Sequence, residues 1–145
     1  MITSKNSADG SDDLLRGKRV VIVEDQKLFA DFLTSCFQQW GLEVVLSTPS
    51  GMEGLAAVRR EQPELLLLDI SLPDIDGLEV ARQVLAELPK VKVLGISSHR
   101  DAWTMLQVQR LGLHGFVDKV EQSATSLRGA LISVLGGNVF YTRAV

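Results

Sequence analysis

The sequence predicts an α/β fold: a doubly wound, five-stranded parallel sheet of order 2-1-3-4-5 with helices on both faces. Three observations predict it. Short β-branched or leucine-rich runs recur that are apolar throughout rather than alternating, as strands covered on both faces require. Between them lie segments whose apolar residues repeat every three to four positions, the period of a helix packed on one side. Carboxylates close the first and third runs, and in the common order for five such strands those two are neighbours whose carboxyl ends open a ligand crevice. Right-handed crossovers place each intervening helix over the sheet. With 145 residues, 46% of them hydrophobic, the chain suffices for one compact domain and is too short for two ordinary ones.

Met1 to Gly17 is rich in Ser, Asp, Asn and Gly, so residues 1–17 are expected to form a flexible tail. The domain is expected over residues 18–137. Its first strand is Arg19 to Val23, which runs into Glu24-Asp25. Phe29, Phe32, Leu33, Phe37 and Trp40 then mark a helix that stops at Gly41, suited to a left-handed cap. Glu43 to Leu46 is a second strand, Met52 to Glu61 a second helix, and Glu64 to Leu68 the strand that delivers Asp69. Asp76 to Glu79 has the form of a capping box and starts a helix with Leu78, Ala81, Leu85 and Leu88 inward, ended with the help of Pro89. Val91 to Ile96 is a fourth strand, Ala102 to Leu111 a weakly amphipathic helix, Gly115 to Val117 a fifth strand. Ser123 to Leu135 is a last helix carrying Leu127, Leu131 and Leu135, and residues 138–145 a tail or the start of a linker.

Composition narrows the function classes. No apolar stretch reaches the roughly 18 residues of a membrane span, and the N-terminus lacks a basic patch followed by a hydrophobic run, so a soluble cytoplasmic protein is expected. The net charge of -3 lacks the basic footprint of a domain that grips phosphate backbones, which argues against direct nucleic-acid contact. A single cysteine, Cys36, excludes an internal disulfide, and its spacing with Phe32, Leu33 and Phe37 makes it a packing residue.

Glu24, Asp25 and Asp69 all fall at the predicted crevice. Carboxylates brought that close repel one another by ~1 kcal/mol or more per pair, and a divalent cation removes the conflict. A few hard oxygen ligands with room for water suit Mg²⁺. His99 and His114 lie in other loops, which disfavours a transition metal. Taken singly, Asp25 reads equally well as a helix cap and Asp69 as a turn residue. The other strand ends weigh against that, because Ser97 and Lys119 bring a hydroxyl and an ammonium to the same edge.

With these residues in place the chain resembles the receiver domains of two-component response regulators, from about Lys18 to Leu135. The resemblance rests on Glu24-Asp25, on Leu-Asp-Ile-Ser-Leu-Pro-Asp-Ile-Asp-Gly around Asp69, on Ser97, and on Gly-Leu-His-Gly-Phe-Val-Asp-Lys ending at Lys119. Ser97 and Lys119 follow Asp69 by 28 and 50 residues, close to the family's separations. The family has the flavodoxin-like (βα)5 fold and exemplifies the 2-1-3-4-5 order, so that order is not an independent prediction.

The resemblance implies that Asp69 accepts a phosphoryl group from a sensor histidine kinase, a phosphotransfer protein or a small acyl phosphate. It implies Mg²⁺ held by Asp25, Glu24, Asp69 and the Ser71 carbonyl, with Lys119 pairing the phosphoryl oxygens. Ser97 would then move inward and Phe116 follow it from exposed to buried, reshaping the face of the fourth helix, fifth strand and last helix; Phe116 as ordinary core is the alternative. Such a chain catalyses only its own phosphorylation and dephosphorylation, and a phosphorylation-dependent homodimer is expected by analogy. Ser71 and His99 occupy positions that tune loss of the phosphate in the family, His99 reading equally as a solvated loop residue. Val120 stands where many members have Pro, and Trp103 and Met105 read as core or incidental exposure rather than a partner surface. Gly95, inside a buried strand, suggests only close approach of another element.

Ile-Ser-Ser-His-Arg-Asp and Leu-Gly-Gly-Asn-Val-Phe-Tyr look like receivers of the nitrate and nitrogen-fixation regulator (NarL/FixJ, LuxR-type) subfamily, which precede a DNA-binding domain. The chain is therefore read as the regulatory half of a transcription factor, with a single-domain regulator or a phosphorylation-independent interaction module as alternatives. An FMN-binding flavodoxin is disfavoured by the acidic first loop, and an aspartyl-phosphate phosphohydrolase by Lys27, where an Asp-x-Asp motif would need its second Asp.

Overall fold

The computed structural model describes residues 11–72, 74–98, 102–120 and 123–141. Its strands are β1 (Arg19–Val23), β2 (Glu43–Thr48), β3 (Leu65–Asp69), β4 (Lys92–Ser97), β5 (Gly115–Asp118) and β6 (Phe140–Tyr141). They form one parallel sheet in the order β2-β1-β3-β4-β5-β6. The helices are α1 (Ser11–Leu15), α2 (Lys27–Gln39), α3 (Gly51–Glu61), α4 (Gly77–Glu87), α5 (Ala102–Leu111) and α6 (Ala124–Leu135).

The non-alternating runs are explained by a core on each side of the sheet. Val20, Ile22, Leu65, Leu67, Leu94, Ile96 and Val117 pack against Leu33, Cys36 and Phe37 of α2 and Leu127, Leu131 and Val134 of α6. Their neighbours Val21, Val23, Leu66, Leu68, Val93 and Phe116 face α3, α4 and α5 through Leu55, Val58, Val80, Val84, Met105 and Val108. Leu65 to Leu68 are each 0% exposed, so β3 is held rigidly on both faces. At roughly 1.5–3 kcal/mol for each fully buried aliphatic side chain, this double layer is the main favourable term in folding.

The structure departs from the sequence reading in four places. Phe140–Tyr141 adds a sixth parallel strand, where a tail or linker was expected. Ser11–Leu15 is a helix rather than part of a flexible tail, because Leu15 is buried in the α2/α6 core and Gly17 N–H bonds the Gly41 carbonyl at 2.8 Å. Asp76 caps α4 at the Leu78 amide (3.0 Å), while the Glu79 carboxylate turns outward to Arg82, so the capping box is half formed. The inward face of α4 is Val80, Ala81 and Val84, with Leu78, Leu85 and Leu88 half-buried around it; Leu135 likewise ends half-buried. Met105 is core and Trp103 is exposed. His99, residues 1–10 and residues 142–145 lie outside the described residues. Among the described residues, no helix is long and apolar enough to cross a membrane.

Candidate functional site

The carboxyl ends of β1, β3, β4 and β5 converge on one acidic crevice. The Glu24 amide bonds the Thr48 carbonyl at 3.0 Å, and the Glu24 Oε2 atom accepts from the Gln26 amide at 2.7 Å. The chain therefore turns immediately after β1, leaving Glu24 buried and Asp25 exposed at the rim. Asp69 is the last residue of β3 and is 3% exposed. One carboxylate oxygen from each of Glu24, Asp25 and Asp69 lies within 4.8 Å of the others.

Lys119 crosses into this cluster from the end of β5. Its amide donates to the Ser97 carbonyl at 2.8 Å, which ties the two strand ends together. Its Nζ donates to Glu24 Oε2 at 2.8 Å and to Asp69 Oδ2 at 3.3 Å, and stands 5.2 Å from the centre of the Phe29 ring. Asp69 Oδ1 accepts from the Ser71 amide at 2.9 Å, which places exposed Ser71 at the mouth. Ser97 is buried at the end of β4, in register with Asp118.

Burial pushes the Asp69 carboxyl up to about 7, and the nearby Glu24 charge adds to this, against the pull of the Ser71 amide and Lys119. Among the described residues, Lys119 is the one cation paired with these carboxylates, and it reaches Glu24 and Asp69, so the cluster is short of positive charge. Glu24 Oε1 shows the same deficit: it is buried and has no hydrogen-bond partner among the described residues. An unsatisfied buried carboxylate oxygen is costly, and beside two further hard oxygen donors it fits a small divalent cation.

Phe116, by contrast, faces the interior and is 0% exposed. Gly95 is its partner across β4 and β5, and a Cβ there would stand 3.2 Å from Phe116 Cδ1 and 2.9 Å from Leu113 Cδ2. The absent side chain at Gly95 is what admits the ring.

Two contributors escaped the sequence reading. Phe29 reads as one of a helix's apolar positions, although it lies one turn beyond Glu24-Asp25, a position that could have flagged it. Asp74 was read only as part of the run that follows Asp69, with no role of its own. Its carboxylate takes the Ser50 hydroxyl at 2.8 Å and the Gly51 and Met52 amides at 2.9 and 3.1 Å, clamping the loop after Asp69 to the start of α3. Those bonds hold its carboxyl down at about 2.

The family model of the response regulator receiver domain matches residues 20–130. The chain belongs to this family. It is the receiver domain of a two-component response regulator. The receiver is 29% identical over 123 residues to the transcriptional regulatory protein DegU of Brevibacillus brevis, covering 84% of this chain and 52% of DegU. It is 32% identical over 95 residues to protein-glutamate methylesterase/protein-glutamine glutaminase 3 of Hahella chejuensis, covering 64% of this chain and 27% of that protein. The chain thus spans about half the length of the first relative and about a quarter of the second. Among solved structures, the signal receiver domain of NarL from Mycobacterium tuberculosis has a TM-score of 0.79 at 28% identity, covering 85% of this chain and 99% of that one.

Proposed function

We propose that this receiver accepts a phosphoryl group on Asp69 from the phosphohistidine of a sensor histidine kinase or phosphotransfer protein, and that it is the regulatory part of a longer transcription regulator. The observation that carries the first part is the Asp69 carboxylate itself, buried at a strand end, bonded by Lys119 and flanked by two further carboxylates with an unsatisfied oxygen. Glu24, Asp25, Asp69 and the Ser71 carbonyl would hold Mg²⁺, which when bound neutralises charge on the transferring group.

Asp69 attacks through a carboxylate oxygen. The new P–O bond forms as the P–N bond to the donor imidazole breaks, and the departing nitrogen takes a proton from solvent. Burial is the main cause of the ~7 value for Asp69, with the Glu24 charge adding to it, and a divalent charge in the crevice would favour the carboxylate needed for attack. Lys119 exchanges its 3.3 Å contact with Asp69 for the phosphoryl oxygens, and its bond to Glu24 keeps the ammonium in place as it does so. The support of β3 fixes the nucleophile in line, which is most of what phosphoryl transfer asks of a protein.

The product carries close to two negative charges where the carboxylate carried one, and the Ser97 hydroxyl is drawn toward them. The link from the Ser97 carbonyl to the Lys119 amide carries that movement to β5, where Phe116 and the surface of α5 and α6 respond. Trp103 and Leu106, exposed on α5, supply apolar surface on which two phosphorylated copies could pair. The chain's own chemistry in this reading is confined to gain and loss of the Asp69 phosphate. The DegU likeness supports a transcriptional output in a segment beyond this receiver, and the methylesterase likeness shows that receivers of similar sequence also occur in proteins named as enzymes.

Incubation with acetyl phosphate and Mg²⁺ followed by intact-mass measurement tests the proposal. The wild type should gain one phosphoryl group and Asp69→Asn none. No gain by the wild type, or equal gain by the variant, overturns it.

A further inference from the structure

The Lys119 ammonium has three hydrogens to place, and the crevice presents two carboxylate partners for them: Glu24 Oε2 at 2.8 Å and Asp69 Oδ2 at 3.3 Å. The side chain is only 9% exposed, so water has little access to the third. The Phe29 ring lies under the ammonium, its centre 5.2 Å from Nζ, within the roughly 6 Å over which a ring face attracts a cation. Phe29 belongs to the first turn of α2, directly after the acidic pair, and its ring leans on Phe32 with centroids 5.7 Å apart. An open, largely apolar hollow lined by Gln26, Lys27, Leu28, Phe29 and Phe32 lies on its outer side. The ring thus touches both the hollow and the ammonium and is not simply a core residue.

We propose that Phe29 is a positioning residue for phosphoryl transfer: its ring face completes the shell of the Lys119 ammonium and keeps that cation aimed at Asp69. This rests on the reading of Asp69 as phosphoacceptor and adds a residue to it. The ring attracts the charge without offering a hydrogen-bond acceptor. It therefore holds Lys119 without competing for the hydrogens that must turn to the phosphoryl oxygens. A third carboxylate or a water in its place would draw the ammonium outward. The aliphatic Phe29→Leu would keep much of the apolar cover and lose the attraction.

The test replaces Phe29 in the full chain by 4-fluoro-, 3,5-difluoro- and 3,4,5-trifluorophenylalanine, which drain the ring face of negative charge with little change in shape. The rate of phosphorylation by acetyl phosphate at saturating Mg²⁺ should fall stepwise with fluorination, to roughly three- to tenfold below wild type. Half-saturation by Mg²⁺ should stay constant, because no metal-facing oxygen is touched. Phe29→Tyr should keep most of the rate and Phe29→Leu should fall with the trifluoro form. A general loss of packing would follow side-chain size and melting temperature instead of fluorine count. A flat rate across the fluorinated series, with Asp69→Asn still blocking phosphorylation, overturns the role of Phe29 and leaves the phosphoacceptor reading intact. Absence of phosphorylation in the wild type overturns both.

Discussion

Gly77 is where the helix after the site meets the strand before it. A Cβ at this position would lie 2.5 Å from the Ile70 carbonyl oxygen and 2.7 Å from that of Asp69. Both atoms are backbone, so a side chain cannot be admitted by rotating a neighbour away, and the Gly77 amide bonds the Ile70 carbonyl at 3.2 Å across the same gap. Gly77→Ala should therefore move the Asp69–Ile70 backbone. The expected loss is about 2–3 kcal/mol in urea unfolding, at the upper end of overpacking costs, with a lower rate of phosphorylation by acetyl phosphate. Gly95 differs in kind, since the atoms nearest its missing Cβ are the side-chain ends of Leu113, Ile70 and Phe116. Sequence could identify Gly95 as odd for a buried strand, but it could not say which neighbour approached, because that contact joins β4 to residues far along the chain.

At the scale of elements, the start of β5 is a junction of three strands centred on His114. Its Nδ1 accepts from the Val93 amide at 2.9 Å, its own amide donates to the Val93 carbonyl at 3.0 Å, and its carbonyl receives the Phe140 amide at 3.1 Å. The imidazole must be neutral to accept at Nδ1. Burial, and secondarily the Lys92 charge, lower its affinity for a proton below the ordinary value of 6.5. A histidine with a depressed folded-state value contributes stability that is complete above its unfolded value and lost as pH falls through and below it. Unfolding free energy should thus decline as pH falls below about 6.5, because the unfolded chain takes up a proton that folded His114 resists. Urea melts of His114→Asn, whose amide oxygen stands in for Nδ1, should lack that part of the decline. The same junction shows where sequence reading stops. Five strands and five helices were legible because each buries a periodic or continuous apolar set. Phe140–Tyr141 is too short to show a period, and its place depends on the Tyr141 hydroxyl reaching the Leu113 carbonyl at 2.6 Å. Ser11–Leu15 is polar apart from Leu14 and Leu15, and only the groove beside α6 gives Leu15 a place to be buried. In the site, Glu24, Asp25, Asp69, Ser97 and Lys119 were legible as strand-end residues, whereas the Phe29–Lys119 contact and the Asp74 clamp join segments far apart in the sequence.

For the whole molecule, the crevice joins signalling chemistry to stability. Two buried carboxylates and a third at the rim lie within 4.8 Å, with Lys119 bonded among them and Glu24 Oε1 left without a partner among the described residues. Folding brings Asp69 to Glu24 and Asp25 and unfolding separates them, so the native state alone would offer the proposed cation site. A ligand bound only by the native state stabilises it by mass action, about 2.7 kcal/mol when its concentration is a hundredfold above Kd. For a domain near 150 residues this corresponds to a rise in Tm of roughly 5–10 °C. Thermal melts at fixed ionic strength should therefore rise with Mg²⁺ and fall back on chelation with EDTA. Asp25→Ala should weaken that dependence severalfold and raise the metal-free Tm less than Asp69→Asn does, because Asp25 is exposed and its repulsion is better screened. Asp69→Asn should raise the metal-free Tm by removing a buried charge and also shrink the response to Mg²⁺. The two variants thus separate relief of repulsion from ligation. A Tm indifferent to Mg²⁺ in the wild type would mean that the unsatisfied oxygen of Glu24 is met in some other way, and the metal would have to be withdrawn from the mechanism.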